Sequence, residues 1–225
     1  MMDFLKLLQI TDSSFPLGGY AFSSGLESMA KSALIRDLPA LQRYLGNVLA
    51  QIMSAEVPFV NSAFRSLQAG DNNYLEVFRY FDAFLTVPTV RKASLTQGRS
   101  LMKIVRSAYP AYPLGEIHGQ LMGSQLLLHF APTFGVVVAV LDMSYEHAAV
   151  AYCYMSMRDQ IYAAVRLGLL GPNEAQRLLV QQVDRCGRLI SSAPELTYHQ
   201  AYKSCSVLEI AQAHHEHLYT RLFQS

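Results

Sequence analysis

The sequence predicts an all-α, single-domain helical bundle of about ten helices over residues 1–225. Three observations carry this. Apolar residues recur at steps of three and four along nearly the whole chain. Prolines, glycines and Asp/Asn/Ser clusters fall between those stretches, where helices start and stop. The one run that invites a strand, Val136-Val137-Val138, has no second run to pair with, and a lone strand leaves its backbone groups without partners. It is assigned to a helix.

In chain order, Phe4, Leu7 and Leu8 give a short helix over Asp3–Ile10 that ends at the polar cluster Thr11–Ser14. A second helix is expected from about Ser23 to Ile35, with Leu26, Met29, Ala30 and Ala33 as its apolar stripe. Asp37 can cap the next one, with Pro39 in its first turn, where a missing N–H costs little. Leu41, Leu45, Val48, Leu49 and Ile52 then line one face. Pro58 breaks the pattern, because its ring removes a backbone hydrogen bond and clashes with the preceding turn. Phe59, Ala63 and Leu67 resume it, Gly70–Asn73 is a turn, and Leu75–Leu85 is helical until Pro88 closes the element.

Val90–Ser107 follows, with Leu95, Leu101, Met102 and Val105 inward and Gly98 open to close approach by another backbone. Tyr109–Gly115 is irregular and Ile117–Phe130 helical. Ser144 can cap a long helix through Leu169 that Gly171-Pro172 stops, and the next runs from Asn173 to about Ser191. Residues 191–204 receive no assignment. The last helix is expected over Val207–Phe223, an amphipathic C-terminal element with Val207, Ala211, His214, Leu218 and Leu222 on one stripe and Glu209 and Glu216 opposite.

Hydrophobic residues make up 51% of the chain and charged residues 16%, more apolar material than an ordinary soluble monomer needs. This suits a partner-covered surface as well as a compact core. The net charge of +1, without a basic run or an acidic tail, gives no electrostatic footprint for nucleic acid or an anionic membrane. Met1–Lys6 lacks the basic n-region of a signal peptide, and the most apolar segment, Phe134–Met157, carries Asp142, Glu146 and His147 where a bilayer makes charge costly. Cys153, Cys186 and Cys205 are odd in number and far apart, a pattern for free thiols in a reducing cytoplasm.

The stretch Thr11–Glu27 crowds three glycines, a proline and four serines between apolar positions, the composition of a tight loop shaped by its backbone. Pro16-Leu17-Gly18 suits the centre of a type II turn, and no Lys follows the glycines as a phosphate-binding P-loop requires. From Asp12 to Tyr20 and on through Ser24-Gly25-Leu26-Glu27, this stretch resembles the amino-terminal signature of the urease accessory protein UreF family. Arg91-Lys92-Ala93-Ser94 with Gly98-Arg99 is similar to that family's central motif, Ala163–Gly171 to its "AAVRL…LG" stretch, and His215-Glu216 with Arg221–Ser225 to its carboxyl terminus. The order covers nearly the whole chain. Two positions depart from the pattern: no His stands near Phe22, and no Pro precedes Ser206–Ile210.

Other chemistry is thin. His214-His215-Glu216-His217 is the best metal candidate, but on a helix His214 and His217 would need a third ligand from elsewhere, and a packed or hydrogen-bonded His is the commoner case. No Gly-x-Ser-x-Gly elbow supports a small hydrolase built on the glycine-rich loop. Arg91-Lys92 and Arg99, Lys103 and Arg106 form a basic face, suited to an acidic partner, to a nucleotide-bound GTPase, or simply to water. No catalytic, cofactor-binding or metal-ligating residue is assigned.

The resemblance implies a noncatalytic, all-α, homodimeric cytoplasmic scaffold in the maturation of nickel urease, with no cofactor of its own. It implies binding to UreD (also called UreH), recruitment of the GTPase UreG, and GTP-dependent nickel insertion into apo-urease, with UreG's GTPase activity open to modulation. The residues it marks for these contacts or for the dimer are Tyr20, Glu27, Arg221, Leu222 and Phe223, and Arg91, His214 and Glu216 are added as further candidates for partner contact. The alternatives are the hydrolase and a His-based nickel-binding module.

Overall fold

A computed structural model describes residues 2–192 and 195–224 of the chain. Among these it has eleven α-helices, α1 Met2–Thr11, α2 Leu26–Lys31, α3 Leu38–Ala55, α4 Val57–Ala69, α5 Tyr74–Phe84, α6 Pro88–Ala108, α7 Leu114–Gly123, α8 Phe130–Val140, α9 Tyr145–Arg166, α10 Pro172–Ser192 and α11 Ser206–His214. One-turn 3-10 helices lie at Gly19–Ala21, Tyr198–Gln200 and His215–His217, and no strand occurs among the described residues.

The bundle is built around α8. Every residue from Phe130 to Ala139 is buried, so this helix is apolar all round and has no wet face. It packs against α4, α5, α6 and α9. Two glycines let backbones meet there: a methyl group at Gly135 would collide with the Val60 carbonyl of α4, and one at Gly98 of α6 with the Leu128 carbonyl just before α8. The valine run is therefore helical because its partners are helices on every side.

Local signals explain most boundaries. The Asp37 carboxylate accepts the Ala40 N–H at 2.8 Å, with Pro39 in the first turn of α3, and Leu41, Leu45, Val48, Leu49 and Ile52 are all buried. Pro58 separates α3 from α4, and Gly70, with φ +70°, ends α4. The Ser144 hydroxyl accepts the His147 N–H at the start of α9.

Three expected boundaries differ. The second helix is only Leu26–Lys31, because Gly25 starts it with φ +94° and Ala33 takes φ +54°, which ends it before the expected stripe is complete. Pro88 opens α6 instead of closing α5; the Val87 backbone is extended and Pro88 occupies the first turn, where proline fits. The expected helix Ile117–Phe130 stops at Gly123. Gln125 has φ +55°, Leu126 donates back to the Leu121 carbonyl, and His129 is the extended residue from which α8 departs.

The C-terminal element is the largest revision. α11 ends at His214, a 3-10 turn follows, and 218–224 is irregular. Leu208, Ala211, His215 and Phe223 are buried, whereas Val207 is 53% exposed and Ile210 67%. Ala211 keeps its expected place, but Leu208, His215 and Phe223 point inward where Val207, His214 and Leu222 were expected, and this face is covered by α2 and α6 of the same chain.

Candidate functional site

The opening loop and the C-terminal segment meet at Glu27. Gly18 takes φ +82°, ψ 8°, the left-handed values of the third position of a type II turn. Gly19 lies so close to the Asp159 carboxylate of α9 that a side chain there would strike it. Gly25, also left-handed, lies against Ala211 and Gln212 of α11. These glycines press the loop onto α9 and α11 and leave Glu27 pointing inward from the first turn of α2.

The Glu27 side chain is fully buried. Its Oε1 accepts the Leu222 N–H at 2.8 Å and faces Lys31 Nζ at 3.0 Å. Its Oε2 accepts the Phe223 N–H at 3.2 Å and lies 3.0 Å from His215 Nε2. Burial works against the charge, but the Leu222 amide, Lys31, His215 and the Phe223 amide outweigh it and hold the carboxyl down at about 2. A carboxylate with four donors is a stable anion even inside the fold.

This explains why the helix stops. Continuing it through Leu222 and Phe223 would spend their amides on the backbone ladder and leave the buried Glu27 carboxylate without two of its donors. Other bonds close the same junction. Lys31 also donates to the Thr220 carbonyl, Gln224 N–H to the Ala21 carbonyl at 2.8 Å, and Ser28 Oγ lies 3.2 Å from His214 Nδ1.

Arg166, the last residue of α9, completes it. Its guanidinium lies over the Phe223 ring at 4.3 Å and the Tyr20 ring at 5.9 Å, and donates to the Tyr20 carbonyl. One cation therefore clamps an aromatic from each segment. Tyr20 remains 73% exposed and Leu222 52%, and Arg221, His214 and Glu216 are exposed as well. A cavity of about 210 Å³ opens beside the loop, with Gly19, Tyr20, Ser94, Gln97, Asp159 and Arg166 among its walls. Burial raises the Asp159 carboxyl against the pull of Arg158, and burial raises that of Glu56, deeper in the wall, against a hydrogen bond from Tyr152.

Of the expected residues, Tyr20, Glu27, Leu222 and Phe223 converge on this junction, with Phe223 buried as an anchor. His214 borders it through Ser28; His215, which the helical spacing left outside, is the buried one. Among the described residues its Nδ1 has no hydrogen-bond partner. The histidine run is thereby divided: His215 is committed to Glu27, and the His214 and His217 rings stand 6.1 Å apart. Arg91 belongs to a different cluster. It pairs with Asp82 at 2.8 Å, Asp82 faces His129 Nε2 at 3.0 Å, and His129 Nδ1 lies 3.2 Å from Ser94 Oγ, which accepts the Phe130 N–H at 3.0 Å. This relay ties α5 and α6 to the start of α8. Burial pushes the His129 imidazole down against the raising influence of Asp82.

Arg166, Lys31 and Asp159 were missed as site residues by sequence reasoning. The Glu27–Lys31 spacing of four was legible; the rings under Arg166 come from segments far away in the chain.

Against known proteins, the family model UreF matches residues 35–182. The chain belongs to the UreF family. Relatives align over almost its full length, including the opening loop and C-terminal segment that the family model does not reach. It is 31% identical to urease accessory protein F of Arabidopsis thaliana over 219 residues, covering 96% of this chain and 90% of the relative. It is 30% identical to urease accessory protein F of Oryza sativa subsp. indica over 217 residues, covering 96% and 82%. With urease accessory protein UreF of Paenarthrobacter aurescens the identity is 31% over 222 residues, covering 98% and 97%. Among the described residues of this UreF-family chain no helix is long and apolar enough to cross a membrane.

Proposed function

We propose that this chain is a noncatalytic adaptor in urease maturation, binding UreD (UreH) and the GTPase UreG so that nickel, the cargo, reaches apo-urease in a GTP-dependent step. The observation that carries this reading is the Glu27 junction. It fuses two segments distant in sequence into one surface on which Tyr20, Arg221 and Leu222 are exposed while Glu27 and Phe223 are buried beneath them. A buried anion and a shared guanidinium hold that surface in shape before a partner arrives, which lowers the ordering cost of binding.

The division of labour follows from exposure. Tyr20 and Leu222 offer apolar area at the rim of the loop, and Arg221 offers a guanidinium for a partner carboxylate. His214 and Glu216 extend the same edge, while Arg91 supports the architecture through Asp82. The exposed Phe4, Leu5 and Leu8 of α1 are further apolar surface for partner or dimer contact. Urease accessory function in the cytoplasm as a homodimer is consistent with this surplus of apolar surface. In cells, deleting the gene should leave urease underloaded with nickel; fully loaded urease in the deletion strain would overturn the proposal.

A further inference from the structure

A second concavity lies between α6, α7 and the loop that leads to α8, and the adaptor reading makes no use of it. It is an open cleft of about 500 Å³, within the size range of small-ligand pockets. Arg99, Lys103 and Arg106 of α6 and His118 of α7 line it. Met102, Leu126 and Leu128 form a buried apolar floor, and Met122 stands 43% exposed at its mouth. Gln125, with its left-handed backbone, turns the chain so that residues 125–128 become the far wall.

Its charges are uncompensated. Arg99 and Lys103 are four residues apart and Lys103 and Arg106 three, so three like charges share one helical face and repel. Only Arg106 lies in the last turn, where the helix dipole favours a cation. Among the described residues, none of the three has an ion pair or hydrogen bond to a protein group. Burial, and then the nearby Arg106 charge, lower the His118 pKa, so the imidazole registers the positive field of the cleft. From Arg99 to Arg106 the helix rises about 10 Å, the reach of a short phosphate chain and its sugar.

Two guanidiniums and an ammonium match phosphate oxygens. The floor of methionine and leucine asks for something flat and apolar, and thioethers adapt to rings. We propose that this cleft binds a nucleoside polyphosphate, with phosphates along Arg99, Lys103 and Arg106 and the base on Met102, Met122 and Leu126. Three cations gathered within about 10 Å of one helix favour this compact polyanion over a longer protein segment.

The test is fluorescence anisotropy of methylanthraniloyl-ADP titrated with the full chain at low salt. Saturable binding is expected, displaced by ADP, weakly by tripolyphosphate and not by adenosine. Arg99→Gln/Arg106→Gln should weaken it at least roughly tenfold, as should Lys103→Glu, with unchanged circular dichroism because all three side chains are exposed. Any one of four results would overturn the proposal: no saturable binding, affinity unchanged in both variants, tripolyphosphate competing as well as ADP, or an acidic peptide displacing the probe better than ADP.

Discussion

Replacing Glu27 by alanine tests the junction most sharply. The substitution strands the Phe223 N–H in a buried position and the Leu222 N–H in a partly buried one, and removes the acceptor of His215 Nε2. An orphaned buried donor costs about 1–3 kcal/mol, so two amides and an imidazole would cost about 3–9 kcal/mol if the segment stayed docked. It need not stay. Residues 218–224 are terminal and can rehydrate, so undocking caps the penalty and turns a stability loss into a local opening. Hydrogen exchange read by mass spectrometry should therefore show rapid exchange at Leu222 and Phe223, with α8 amides still protected and a melting temperature lowered by only a few degrees. Glu27→Gln keeps one carbonyl oxygen and should retain part of the protection. Wild-type exchange at both amides in Glu27→Ala would refute the reasoning, because the carboxylate would then not be what fastens the segment.

Acid should release the same latch. A carboxyl held at about 2 against an ordinary 4.5 contributes stability that is complete above 4.5 and lost as pH falls toward 2. The shift corresponds to about 3 kcal/mol at most, and discounting for solvent screening near half-exposed Lys31 leaves about 1–2 kcal/mol; equal acid sensitivity of wild type and Glu27→Gln would contradict it. Gly135→Ala forces α8 away from the Val60 carbonyl and should cost about 1–3 kcal/mol in urea unfolding, so an unchanged midpoint would mean the two helices can separate freely. Asp37→Ala removes the cap of α3 and should cost about 1 kcal/mol in the same assay. Arg221→Ala, at an exposed position, should leave thermal stability unchanged while weakening UreD binding in calorimetry by about 2 kcal/mol; equal affinity would remove Arg221 from the interface.

The fold was legible wherever one helix carried its own instructions. Asp37 and Pro39 announce α3, Ser144 announces α9, and the spacing of Leu41 through Ile52 names a buried face before any neighbour is known. Even the valine run was recoverable, from the lack of another strand. What failed was decided at a distance. Nothing near Leu222 says that its amide belongs to a carboxylate 195 residues earlier, so periodicity extended the last helix and chose His214 over His215 for the interior. Gln125 and Ala33 adopt left-handed backbones although neither is glycine, and the expected helices ran past them for that reason. At the site, Tyr20, Glu27 and Phe223 were found through resemblance, and the contact that unites Tyr20 and Phe223, Arg166, became visible only with both rings in place.

The adaptor claim itself is met most directly by light scattering on a size-exclusion column, running the chain alone, with UreD, and with UreD plus GTP-bound UreG. A dimer is expected whose mass grows stepwise with each addition, with that growth lost or weakened when Glu27→Ala frees the C-terminal segment. A monomer that ignores both partners would contradict it, as would complexes formed equally well by wild type and Glu27→Ala.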